Sequence, residues 1–199
     1  AEEPRGKILF LHAVGGSTVT FRLLGPALAA SGYSVLAVDL PGFGFSDLAL
    51  EFEHTLAERS HLIWSLADRL DTEQNSFAPA DPWVVAGHGM GARVAARMAS
   101  DRPGRSRGLL VFASDVADPR NPSRFYWFPP YRWAIRAWFE NSLYTIEGVE
   151  ELLSEAYGRP ATEAEVDLYA APVLHDDMPN TFVNYARTAG PVEIDLADP

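Results

Sequence analysis

Four short apolar runs constrain this chain more than any other feature: residues 8–12 (ILFLH), 33–40 (YSVLAVDL), 83–86 (WVVA) and 107–113 (RGLLVFA). The first three each lead through a glycine-rich turn into a helical pattern. A strand that is apolar at every position has to be covered on both faces, and strands that run in the same direction have to be joined by crossovers, usually helices. The spacing therefore predicts an α/β fold with a doubly wound, mostly parallel sheet and right-handed crossovers. Helices are expected over residues 20–31, ended by Gly32, and 53–70, with Leu56, Ile63, Ala67 and Leu70 on one face. A third, carrying Ala92, Ala95, Ala96 and Ala99, is small enough to lie close against a sheet.

Beyond Asp115 the pattern changes. Eight aromatic residues fall between Phe125 and Phe139, and helical segments follow at 148–157, 162–174 and 180–189. The second of these opens with the capping-box pattern Thr162-x-x-Glu165. Residues 1–116 are accordingly expected to form the sheet-bearing core, 117–190 an inserted helical cap, and 191–199 (PVEIDLADP) an acidic linker.

Composition narrows the function. A formal net charge of -11 on 199 residues would repel a phosphate backbone, so no nucleic-acid partner is expected. There are no cysteines, which removes thiolate nucleophiles and Cys-ligated zinc, and His54 and His61 are seven apart with no second histidine at i+4, so no metal is expected. No apolar run approaches the roughly 20 residues that cross a bilayer, and the polar start is unlike a signal peptide. The expected location is therefore the cytoplasm, with no membrane partner. No cofactor is expected either. Gly87-x-Gly89-x-Gly91 lacks the G-x-G-x-x-G spacing of a dinucleotide site and follows the third strand rather than the first.

The glycines of Gly87-His88-Gly89-Met90-Gly91, between an apolar strand and a small-residue helix, have the setting of a nucleophile elbow. In that turn the central side chain stands at a helix N-terminus, and the next backbone N–H faces a developing oxyanion. Here the central residue is glycine, which has no nucleophilic atom.

With this elbow, the loop His12-Ala13-Val14-Gly15-Gly16-Ser17 and the turn Asp39-Leu40-Pro41-Gly42-Phe43-Gly44-Phe45-Ser46-Asp47, the sequence resembles the α/β-hydrolase fold family. It is closest in kind to the cap-bearing esterases, C–C hydrolases, haloperoxidase-like enzymes and epoxide or haloalkane hydrolases. Two positions depart from the family pattern: Ala13 stands where glycine is usual, and Gly89 where the family carries Ser or Asp. The resemblance implies oxyanion donors at the N–H groups of Val14 and Met90, and Asp115 as a candidate acid, the plainer alternative being an exposed Asp that ends a strand. His175, beside Asp176 and Asp177, is the only histidine after position 89, and a solvated helix end is its plainer role.

Substrate contacts are expected from His12, Phe43, His88, Phe125, Trp127 and Trp133, although His12 and His88 also suit local packing or hydrogen bonding, and the aromatics also suit a cap core. Family members continue past a linker like 192–199 into further strands and helices, about 50 to 70 residues on ordinary element lengths. The C-terminal strands are therefore expected to be missing, with a further segment or a second chain completing the sheet. The implied function is hydrolysis of a small apolar ester-like substrate by a Ser-bearing form, this chain being inactive or nearly so through Gly89. The alternative is a natural non-catalytic relative that binds a ligand or partner.

Overall fold

The computed structural model describes residues 4–47, 51–73, 81–114, 129–142, 144–175 and 177–188. Four parallel strands, β1 (Lys7–Leu11), β2 (Ser34–Val38), β3 (Trp83–His88) and β4 (Ser106–Phe112), lie in the order β2-β1-β3-β4. In β1 alternate side chains serve opposite faces of the sheet. Leu9 and Leu11 join one buried cluster with Ile63, Trp64, Val94 and Met98, while Ile8 and Phe10 join another with Phe21. Helices α2 (Leu56–Glu73) and α3 (Met90–Asp101) cover the first face, and α1 (Leu24–Ala30) lies on the other.

The ends of these elements are set by partners rather than by apolar pattern. The helix expected over 20–31 is split into a 3-10 turn, Thr18–Phe21, and α1. Pro26 has no N–H to give, so an α-helix tolerates it only in the first turn, where α1 holds it. The run at 33–40 is a strand only where β1 supplies partners, from Ser34 to Val38. Lys7 is buried at the start of β1 and is neutralised by Asp71 Oδ1 of α2 at 2.8 Å. Asp71 Oδ2 in turn accepts from Trp83 Nε1 at 3.2 Å and Arg105 Nη2 at 2.9 Å.

Four further helices are α4 (Pro129–Ser142), α5 (Ile146–Tyr157), α6 (Glu163–Ala170) and α7 (Met178–Thr188). The capping box at α6 forms, with Thr162 and Glu165 each bonding the other's backbone N–H. Phe139 stacks on Phe182 at 4.4 Å and joins α4 to α7, and Arg22 donates to the Tyr169 hydroxyl of α6 at 2.8 Å. On α7, Asn184 donates to the Phe52 carbonyl at 3.0 Å and Thr188 accepts from the His54 N–H at 3.0 Å. These bonds seat α7 beside the turn that follows β2. The expected boundary near 116 and the linker 191–199 lie outside the described residues.

Candidate active site at the carboxyl ends of β1 and β3

β2 and β3 flank β1 on opposite sides, so the connections diverge between the ends of β1 and β3. In open α/β sheets that divergence leaves a crevice at the carboxyl ends of the strands. Here it holds a cavity of about 320 Å³. Ala13 and Val14 line it from the loop after β1, Gly89, Met90 and Arg93 from the elbow and first turns of α3, Ala113 and Ser114 from the end of β4, and Tyr185 from α7.

The elbow is built by close approach. A Cβ on Gly91 would collide with the Leu11 carbonyl, so only glycine lets α3 begin directly against β1. Gly89 then has φ 54° and ψ -118°, a region costly to any residue with a side chain. Its N–H donates to the Phe112 carbonyl at 3.0 Å, and its own carbonyl accepts from Ala92 at 3.1 Å. Ala113, the next residue of β4, also has a positive φ of 45°. Among the described residues, the N–H groups of Val14 and Met90 have no protein acceptor.

His12 is fully buried and is a strut rather than a contact group. Its Nδ1–H donates to the Ala13 carbonyl at 2.7 Å, and Nε2 accepts from the Leu40 N–H at 2.9 Å. Burial drives its pKa down to about 4, so the ring is neutral and in the Nδ1–H form. Asp39, at the end of the second apolar run, clamps the two loops together. Its Oδ1 accepts from Thr18 N–H at 2.5 Å and its Oδ2 from Phe45 N–H at 3.1 Å.

Of the residues expected to touch substrate, His12 and Phe43 are wholly buried and do not line the cavity. The Phe43 ring instead packs 5.5 Å from that of Tyr185 and 5.4 Å from the Arg59 guanidinium. His88, half-buried at the end of β3, is not in the lining either. Trp133 is 82% exposed and borders a separate cavity of about 500 Å³ between α4 and α7, with Arg132, Arg136 and Arg187. Asp115, Phe125 and Trp127 lie outside the described residues. His175 is exposed and does not reach the elbow. Among the described residues no group of three or more His, Asp or Glu could hold a metal, and no helix is long and apolar enough to cross a membrane.

Sequence reasoning missed Arg93, Ala113, Ser114 and Tyr185. Arg93 was within reach of it, since the residue one turn beyond an elbow's central position projects along the same side of the helix mouth. Tyr185 carries no local signal.

A parallel sheet with this elbow at its topological switch point defines an α/β hydrolase. The family model described as serine aminopeptidase S33 matches residues 2–189, and the chain belongs to that family. It is 23% identical over 174 residues to the uncharacterized hydrolase YugF of Bacillus subtilis, covering 81% of this chain and 60% of that protein. It also shares the fold of a probable hydrolytic enzyme from Pseudomonas aeruginosa, with a TM-score of 0.67, 21% identity, and 94% of this chain and 58% of that one covered. An epoxide hydrolase mutant from Vigna radiata superposes with a TM-score of 0.68 at 16% identity, covering 93% and 67% of the two chains. The chain thus spans about 60% of the length of the first two of these relatives.

Proposed function

We propose that the cavity at Gly89 binds a small, mainly apolar, ester-like ligand and that this chain does not cleave it by a covalent route. The observation that carries this reading is Gly89 itself, which holds an elbow backbone with no atom able to attack a carbonyl. The walls suit such a ligand on both counts: Ala13, Val14, Met90 and Ala113 offer apolar contact, and Tyr185, Arg93, Ser114 and backbone groups supply a comparable polar surface for an ester's oxygens. In this reading the N–H groups of Val14 and Met90 hold the ligand's oxygen at the α3 N-terminus, where the helix dipole favours negative charge.

A second reading is that a Ser-bearing form of the protein is a hydrolase. It is favoured by the retained close packing of Gly91 on Leu11 and by the two N–H groups that would serve an oxyanion. The first is tested on this chain, and the same titration of Gly89→Ser, where release should appear, tests the second. The protein is titrated with a short-chain nitrophenyl ester while tyrosine and tryptophan fluorescence, nitrophenolate release and intact mass are followed. Saturable quenching with no release above buffer and no mass gain supports binding without covalent turnover. Saturable release, or an acylated chain, rejects it.

A further inference from the structure

We infer that Ala13 and Gly89 are a matched pair: the methyl of Ala13 occupies the room that a side chain at 89 would need, so position 13 governs whether the elbow can carry one. This deepens the reading above, on which it rests for its meaning to the ligand. An ideal Cβ placed on Gly89 lies 3.0 Å from the Cβ of Ala13 and 3.6 Å from its Cα. Carbon atoms at ease sit about 3.5–4.0 Å apart. The overlap is with a methyl on the backbone itself, which has no rotamer to swing away.

Neither side is free to retreat. The Ala13 carbonyl accepts from Gly16 N–H at 3.0 Å and from His12 Nδ1–H at 2.7 Å, and His12 is held in turn by the Leu40 N–H. Gly89 is tied to the Phe112 carbonyl on one side and to Ala92 on the other, and Gly91 bars any slide of α3 toward β1. The two departures from the family pattern therefore offset each other sterically. Simple loss of a serine hydroxymethyl from an otherwise unchanged site would leave a hole at the elbow; here a methyl from the neighbouring loop stands at its edge. At this point of the cavity a ligand meets carbon where a nucleophile would have stood.

The test is a double-mutant cycle in thermal stability, which needs no ligand. Four proteins are compared: the native chain, Gly89→Ser, Ala13→Gly and the double variant. Because the positive φ penalises any side chain, Gly89→Ser lowers Tm in both backgrounds. The expected result is a fall smaller by about 2–4 °C when Ala13→Gly is present. Gly89→Ala, which adds the Cβ alone, should show the same rescue, and the remote Thr162→Ala should simply add to Ala13→Gly. Equal losses in both backgrounds, including failure of both to fold, overturn the pairing. Since the cycle reads stability and the ester titration reads occupancy, failure of one is distinguishable from failure of the other.

Discussion

At the scale of single residues, the site is organised around groups that are buried, neutral and already engaged. His12 is the clearest case. Burial lowers its pKa to about 4, and burial with the charge of Arg59 lowers that of His54 to about 3, whereas an unfolded chain titrates histidine near 6.5. As pH falls, the unfolded state therefore takes up protons first. The stability due to these rings is whole above about pH 6.5, declines down to about pH 4 for His12 and about pH 3 for His54, and levels off below those values. For His12 the full loss is on the order of 3 kcal/mol. Urea unfolding of the native protein between about pH 7.5 and 4.5 should show this decline, and His12→Gln should flatten it; equal slopes in the two proteins would sink the assignment.

At the scale of elements, β1 and α2 are joined by a charge as well as by apolar contact. Lys7 is 1% exposed, and Asp71 is its only ion-pair partner among the described residues. Cutting such a pair on one side leaves the other charge buried, which costs about 3–5 kcal/mol. Asp71→Ala should lose stability on that scale, since it also removes an acceptor from Trp83 and one of the two carboxylates that Arg105 bonds, Asp68 being the other. Replacing both members by apolar residues, Lys7→Met with Asp71→Leu, should recover much of the loss. Chemical denaturation of the three variants checks this: a double variant no more stable than Asp71→Ala would mean that packing, not charge, sets the effect.

At the scale of the whole molecule, the sheet is unevenly covered. Leu110, Val111 and Phe112 at the end of β4 are 44%, 41% and 39% exposed, and among the described residues β4 pairs with β3 on one side only. A long apolar edge of this kind invites another strand, whether from a longer protein or from a second copy. The chain as it stands should therefore self-associate as its concentration rises, and Val111→Lys should lower the weight-average mass in sedimentation at equal loading. A monomer at every concentration, or association indifferent to that substitution, would show that the edge is not the contact.

Much of this architecture was written locally. Unbroken apolar runs mark strands buried on both faces, glycines mark where backbones must touch, and Thr162 with Glu165 marks the start of α6 three residues apart. These signals are short-range because they follow from chain geometry within one turn or one strand, and so the sheet, its crossovers and the elbow were legible. Strand ends moved by a residue or two, as at β2, because a strand stops where its neighbour stops, and helix ends moved by up to four, as at α6. The cavity was legible only in part. Val14, Gly89 and Met90 sit in motifs, but Tyr185 reaches them from α7, and His12 turned inward because two backbone groups claimed its ring. The sequence by itself determined which backbone would make the elbow; only the tertiary structure decided that the methyl of Ala13 would stand against Gly89, because a contact between two loops depends on how a helix and two strands pack, and no local pattern encodes that distance.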